Sequence, residues 1–380
     1  MLTLPPLSLY VHIPWCIRKC PYCDFNSHQA DQKLPEQEYL HSLEEDLKKD
    51  LNYVQGRKLV SLFFGGGTPS LFSGRAICQV IAMADRLIGF EPHAEITLEA
   101  NPGTVDQHYF KDYIAAGVNR ISLGIQSFNP EHLKTLGRIH SGEDARHAIA
   151  LLQKLGFENI NLDLMHGLPG QTAHQAVEDI ETALSFGPAH ISWYQLTIEP
   201  NTAFYSKPPT LPDEEQLEAI QQTGQELLIA NGFEQYEVSA WCQTGKQSRH
   251  NLNYWEFGDY LGIGAGAHSK ITLAEQNALF RFNKTRMPQD YLNPEKAFYR
   301  AAEPVAEKDR PIEFLLNALR LKQGVPLPYF SQRTGLPWAS IARQWNSLEA
   351  RGLLQPAMNR LQTTNLGYRY LNSVLTELDK

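Results

Sequence analysis

Through the first two-thirds of the chain, short apolar runs alternate with longer stretches whose apolar residues recur every three or four positions. The runs over 7–13, 59–64, 94–99, 119–125, 159–164 and 190–196 are bounded by polar, Gly or Pro residues, as buried parallel strands are. The stretches over 36–53, 75–87, 107–116, 143–155 and 173–185 predict amphipathic helices. Gly117, Gly156 and Gly187 each follow a helix end, where a C-terminal cap takes left-handed backbone. Strands alternating with helices predict a parallel α/β fold with right-handed crossovers. Polar or glycine-rich residues follow nearly every strand: His12-Ile-Pro14, Gly65-Gly-Gly-Thr-Pro69, Glu99-Ala-Asn-Pro102, Gln126-Ser127, Asp163 with His166, and Gln195. Chemistry gathered at so many strand ends favours a barrel mouth, complete or partial, over an open sheet with one switch point.

A further helix is predicted over 213–230. A region rich in Gly, Trp and Tyr follows over 232–268, then a Pro-punctuated connection over 270–305. From residue 306 the pattern changes to short helices over 311–321, 327–334 and 339–351. A two-stranded turn around Asn359 and a closing helix over 366–378 complete it. Short helices with a two-stranded turn resemble a winged helix. The expected division is a partial (β/α)6 barrel over 1–231, with a loop over 14–30 after its first strand. An extension and connection over 232–305 and a winged-helix-like domain over 306–380 follow.

Charge and composition narrow the function. The formal net charge is −8, the opposite sign from a generic nucleic-acid binder. Residues 305–380 carry ten Lys/Arg against six Asp/Glu, but the candidate recognition helix has only Arg343 and Arg351. Partner docking or packing is therefore expected of this tail, and nucleic acid is not. No run of 18 apolar residues exists, so no integral membrane protein is expected. Met1 to Tyr10 shows no basic segment and no small-residue cleavage site, so no export signal is read there. Three of only five cysteines lie within eight residues, and Cys78 and Cys242 are isolated packing residues. Sparse, clustered cysteines point to a reducing cytoplasm and to a metal or cluster site.

The cluster reads Cys16-Ile-Arg-Lys-Cys20-Pro-Tyr-Cys23, directly after the first strand. Three thiolates on one tight loop grip three corners of a cubane and leave the fourth iron without a protein ligand, where proteins normally fill all four. Arg18 and Lys19 would offset the cluster's negative charge. The same spacing admits zinc with His12 or His28 as a fourth ligand, although structural zinc sites more often pair two CxxC knuckles and no second knuckle exists. Taken one at a time, the other strand-end residues have plain readings. Tyr10 is a core aromatic, Glu99 a strand-end cap, and Arg138 with Asp163 an ion pair across the mouth.

With Gly65-Gly66-Gly67-Thr68-Pro69 one βα unit later, this loop resembles the radical S-adenosylmethionine (SAM) superfamily. The resemblance implies a [4Fe–4S] cluster on Cys16, Cys20 and Cys23, with SAM on the open iron. Reductive cleavage of SAM there yields a 5′-deoxyadenosyl radical. Glycine suits the second motif because a side chain would block the approach of SAM to the backbone. Glu99-Ala-Asn-Pro102, Gly124-Ile-Gln126-Ser127, Leu136-Gly-Arg138-Ile-His140 and Asn161-Leu-Asp163-Leu-Met-His-Gly-Leu-Pro169 resemble the oxygen-independent coproporphyrinogen dehydrogenase group. The likeness extends over nearly the whole chain. It implies that Tyr10, Gly66, Gly67 and Glu99 meet the cluster-bound SAM and that Tyr22 lies beside the cluster. Thr68, Gln126, Arg138 and Asp163 would contact a second SAM, and Gly264 and Gly266 would offer backbone to adenine.

Two features turn the reading away from the dehydrogenase. That group carries a further cysteine two residues past the third cluster cysteine, and here Phe25 stands there, unable to ligate or to transfer a proton. The string His250-Asn-Leu-Asn-Tyr254-Trp255 resembles the heme-chaperone branch of the same superfamily, HemW. Imidazole is a good axial ligand, and Tyr254 and Trp255 could stack on a porphyrin. The resemblance thus implies heme bound through His250 and passed to a client heme protein, such as a membrane respiratory enzyme, by a cytoplasmic protein that forms a homodimer. The alternative is propionate decarboxylation of coproporphyrinogen III.

Overall fold

The computed structural model describes residues 1–30, 34–105, 107–299 and 302–379. All six expected barrel strands form in place: β1 (Leu7–Ile13), β2 (Leu59–Gly66), β3 (Phe90–Ala100), β4 (Arg120–Gln126), β5 (Ile160–His166) and β6 (His190–Gln195). Each pairs in parallel with the next, so order in the chain is order in space. Between them run helices α1 (Glu36–Asp50), α2 (Gly74–Leu87), α3 (Gln107–Ala115), α4 (Pro130–Thr135), α5 (Gly142–Lys154) and α6 (Ala173–Leu184). Helix starts follow their caps: Ser141 and Thr172 each form a reciprocal capping box at α5 and α6. Gly117, Gly156 and Gly187 have φ of 104°, 90° and 61°, the left-handed backbone expected past a helix end.

The sheet is an arc and not a closed barrel. α7 (Ala203–Ser206) and α8 (Glu214–Ala230) lead to β7 (Glu234–Glu237) and β8 (Ala240–Cys242), and β8 caps β6 in antiparallel fashion. On the other flank β9 (Asp259–Ile263) lies parallel to β1, with Leu7 opposite Asp259. β10 (His268–Leu273), β11 (Ala278–Asn283) and β12 (Glu303–Pro304) extend that edge, giving a 12-stranded sheet in the order β12-β11-β10-β9-β1-β2-β3-β4-β5-β6-β8-β7. The segment over 270–305 is thus more than a connection. Its strand pattern is masked because Lys270 and Thr272 are polar yet buried, both bonded to the buried carboxylate of Asp259.

The barrel strands are not apolar on both faces. Leu9, Val11, Leu62, Phe64, Leu98, Ile121, Leu123, Leu162 and Leu164 are buried in one apolar cluster with residues of the surrounding helices. The alternate positions face the inside of the arc and are mostly polar: Ser8, Ser61, Glu95, Ser122, Asn161 and His190 are all buried there and bonded to one another or to the loops that enter the arc. A barrel interior is ordinarily filled by branched apolar side chains. This one is a hydrogen-bonded polar layer beneath the mouth.

A second core unites Phe314, Leu315, Phe330, Trp345, Leu348 and Val374 of the C-terminal helices with Leu2, Tyr236, Cys242, Phe257 and Leu279 from earlier in the chain. Val325–Pro326 pairs antiparallel with Arg360–Leu361, and Leu354 bridges Thr363, which makes the expected turn. The closing helix breaks at Tyr370 (φ −108°, ψ 35°) into Asn365–Arg369 and Leu371–Leu378. Among the described residues no helix is long and apolar enough to cross a membrane.

Candidate functional site

Strand register brings the chemistry to one level. Pairing of β1 with β2 sets His12 opposite Gly65 and Ile13 opposite Gly66, while β4 and β5 set Gly124 opposite Asp163. The cysteine loop leaves β1 and is closed by a short parallel pairing of Trp15–Cys16 with His28–Gln29. The glycine turn after β2 is zipped to it: Gly67 N–H donates to Ile13 O (2.8 Å) and Thr68 N–H to Trp15 O (2.7 Å). A Cβ on Gly67 would lie 2.4 Å from Trp15 O, and one on Gly66 (φ 117°) would lie 2.7 Å from the His12 ring. Only glycine permits this approach of two backbones.

Cys16, Cys20 and Cys23 are free thiols on the wall of one open cavity. Burial pushes the Cys16 and Cys23 thiols up, and the neighbouring thiolates push further in the same direction. Coordination to iron holds such thiols deprotonated, so the donor set fits a cluster. The zinc alternative loses His12 as its fourth ligand, while His28 Nε2 is buried without a hydrogen-bond partner among the described residues. Both ring nitrogens of His12 are engaged, with Tyr10 Oη (3.0 Å) and Asn26 O (2.8 Å).

The same cavity is lined by Tyr22, Gly66, Gly67, Thr68, Glu99, Gln126, Arg138 and Asp163. Glu99 accepts the Gly66 N–H. Its carboxyl is pushed up to about 8 by burial, with the Asp163 charge adding to the effect. Asp163 accepts from Ser122 Oγ and Asn161 Nδ2, each at 2.8 Å, and burial raises its carboxyl too. Arg138 does not pair with Asp163 across the mouth. It donates to Gly124 O (2.6 Å) and to Cys20 Sγ (3.7 Å). The two carboxyls thus stand half-buried in the cavity with the Arg138 guanidinium turned elsewhere, while Arg18 and Lys19 line the same cavity. Gln126 adopts φ of 70° at a register shift between β4 and β5, and Tyr194 Oη–H donates to its Oε1. Left-handed backbone at a non-glycine residue is uncommon and tends to gather at functional sites.

Tyr10, Gly264, Gly266 and His250 are not on the cavity wall. Tyr10 lies below Gly65 and bonds His12. The turn over 264–266 follows β9, and its backbone is already engaged. Gly264 N–H meets Asp46 and Tyr291 Oη, Ala265 N–H meets Tyr39 Oη, and Gly266 N–H meets Thr285 O. Asn26 Nδ2 donates to Ala265 O (2.9 Å) and Arg286 O (2.8 Å), which fastens the end of the cysteine loop to that turn. His250 is buried inside the arc, its Nδ1 3.0 Å from Ser61 Oγ. Motif reading passes over Asn26, Ser122 and Tyr194, and takes Asn161 only as the start of a matching string, without a role. Asn26 lies in the cysteine loop and Ser122 within a strand, and neither belongs to a spacing that implies chemistry by itself.

Comparison with known proteins agrees with this architecture. The Radical SAM superfamily is matched over residues 10–183 and the HemN C-terminal domain over 305–370. The chain is 48% identical over 376 residues to "Heme chaperone HemW" of Haemophilus influenzae, covering 98% of this chain and 97% of that protein. It is 48% identical over 375 residues to the protein of the same name from Escherichia coli K12 (99% and 98% covered). With the Bacillus subtilis protein of that name identity is 35% over 338 residues (86% and 87% covered). Among solved structures, coproporphyrinogen III oxidase (HemN) from Escherichia coli superimposes with a TM-score of 0.82 at 21% identity, covering 99% of this chain and 91% of that one, a likeness of fold. From end to end, then, the chain belongs to the radical SAM superfamily and, within it, to the HemW family.

Proposed function

We propose that this protein is a heme chaperone built on a radical SAM scaffold. Cys16, Cys20 and Cys23 would hold a [4Fe–4S] cluster, and the open iron would take SAM, which supplies reductive sulfonium chemistry when bound. Gly66, Gly67 and Thr68 would present backbone to SAM, and Glu99 would meet its ammonium with the carboxylate that already accepts from Gly66. Gln126, Arg138 and Asp163 would shape the rest of the cavity, and Tyr22 would shield the cluster.

The observation that carries the reading is 48% identity sustained over 98% of the chain to proteins named heme chaperones. The mouth supports it. Exposed Ile17, Phe25 and Ile139 surround the cysteine loop beside the exposed cations Arg18 and Lys19. Apolar side chains next to cations suit a flat apolar molecule with carboxylates, and heme is one. On this reading the three-part division at 231 and 305 separates cofactor scaffold, extension and partner-docking tail. The protein works in the cytoplasm as a homodimer and hands heme to clients such as a membrane respiratory enzyme.

Anaerobically reconstituted protein, loaded with hemin and mixed with an apo heme protein, is expected to deliver heme, read as the holo-client's Soret band. Retention of all the hemin would overturn the reading. The second reading, a coproporphyrinogen III dehydrogenase, draws on the convergence of Thr68, Gln126, Arg138 and Asp163 in one cavity. With SAM, an electron donor and coproporphyrinogen III, mass spectrometry is expected to show no decarboxylated product, because Phe25 stands in place of the dehydrogenase's further cysteine.

A further inference from the structure

We infer that His250 is a positioning residue of the SAM-binding turn and not an axial ligand of heme, the HNLNYW segment being the inner plug of the barrel arc. The inference rests on the reading above, in which the turn after β2 binds SAM and the protein carries heme.

α9 (Arg249–Trp255) is driven into the arc by its own N-terminus. Ser248 Oγ caps Asn251 N–H, while the buried carboxylate of Glu95 on β3 accepts from Ser248 Oγ (3.1 Å), Arg249 N–H (3.0 Å) and His250 N–H (3.0 Å). A carboxylate taking the unpaired N–H groups of a helix start is a strong anchor. Asn253 Nδ2 adds bonds to Ser8 Oγ (2.8 Å) and Asp259 O (3.0 Å). The segment is tied to three strands of the sheet.

The three side chains that would serve heme are packed against protein neighbours. An axial ligand must present nitrogen to a space wide enough for a porphyrin, and His250 borders no part of the mouth cavity. Its Nδ1 is bonded to Ser61 Oγ, and its ring packs on Phe63 (centroids 4.7 Å) and near Tyr10 (6.4 Å). The Tyr254 ring stacks on Tyr260 (4.6 Å, 26°), with the two hydroxyls 3.0 Å apart. Trp255 carries the Arg320 guanidinium 4.3 Å over its ring.

What His250 does touch leads upward to the site. Phe63 and Tyr10, which rest on it, press on Gly65: a Cβ there would lie 2.9 Å from Tyr10 Cε2 and 3.1 Å from Phe63 Cε1. Gly65 is the residue before Gly66, whose N–H reaches Glu99. In a close-packed interior a change beneath these rings shifts the turn above them.

The test is His250→Gln in the full-length reconstituted protein, which removes the imidazole and keeps a hydrogen-bonding side chain. SAM dissociation constant, iron and sulfide content, and the hemin Soret and electron paramagnetic resonance spectra are measured together. The expected result is SAM binding weakened about tenfold, with cluster content and every hemin signature unchanged. Loss of the hemin ligation signature, or an unchanged SAM dissociation constant, would overturn the inference. Ser61→Ala, which withdraws the Nδ1 partner and leaves the imidazole in place, is expected to weaken SAM in the same direction without touching hemin, and decides the matter if the Gln variant does not fold. Wild-type protein that bound no hemin would refute the chaperone reading, and the SAM arm would still decide the positioning role.

Discussion

Glu99 and Asp163 are the two carboxyls in the lining of the mouth, which also holds Arg18, Lys19 and Arg138. Both carboxyls are raised by burial, Glu99 to about 8, and Arg138 spends its charge on Gly124 O and Cys20. In the cofactor-free chain Glu99 keeps a proton in the native state over a range where the unfolded chain, with an ordinary carboxyl, has lost it. The stability this confers is present in full below the unfolded value and is lost as pH rises through the folded one. Unfolding midpoints of the apo protein are therefore expected to fall between pH 5 and pH 8. In Glu99→Gln the fall should be smaller by roughly 1–2 kcal/mol, a figure discounted because part of the side chain opens to the cavity. Parallel pH profiles for the two proteins would remove the assignment. A cationic ligand beside it would reverse the preference at this carboxyl, since it stabilises the anion.

At the scale of elements, the decisive structure is the meeting of two turns. The glycine turn after β2 and the cysteine loop after β1 share two backbone hydrogen bonds and leave no room for a Cβ at Gly67. Gly67→Ala is expected to destabilise the apo protein by about 1–3 kcal/mol and to lower the iron bound on reconstitution, because the clash falls on Trp15, next to Cys16. Gly156→Ala supplies the contrast. Its φ of 90° is equally left-handed, but nothing lies within 4 Å of the added Cβ. It should cost about 1 kcal/mol with iron content unchanged. Equal iron loss in both would trace the effect to stability and not to the turn. The spacing of Cys16, Cys20 and Cys23 and the glycine run one βα unit later were legible in the sequence because both chemistries demand residue types at short range. The Asn26 latch was not, since its partners Ala265 and Arg286 lie far along the chain. His250 is the opposite case, with a motif legible in the sequence and partners that are not. A string that looks like a ligand site is, in space, a capped helix end whose polar groups satisfy buried strands.

The whole molecule is divided less sharply than its sequence pattern suggests. Strand order, helix ends and the change of pattern near 306 could all be read from periodicity and glycines, because parallel strands in chain order need only local signals. The flank from β9 to β11 was obscured by polar residues that are buried and paired, Lys270 and Thr272 on Asp259, a compensation that no single-strand pattern displays. The second core has the same character. Phe257 lies edge-on to Phe314, and Leu2, Tyr236 and Leu279 pack with the C-terminal helices, so the tail is finished by residues from the barrel extension and the N-terminus. Arg333 donates to Glu256 O and Arg320 to Glu237 Oε2, which fastens the tail again beside α9 and β7. A chain ending at 305 would leave Phe257 and Leu279 facing water, and burying such side chains is worth about 1.5–3 kcal/mol each. The truncated protein is accordingly expected to aggregate on expression, or to unfold without a cooperative transition when followed by circular dichroism. A soluble truncated chain that unfolds cooperatively and binds iron at wild-type stoichiometry would show that the tail is an independent module. In that event its role would be confined to holding a partner. If truncation destroys the barrel, the tail belongs to the same cooperative unit as the glycine turn after β2, and anything that docks on it acts on a body continuous with the α9 segment beneath that turn.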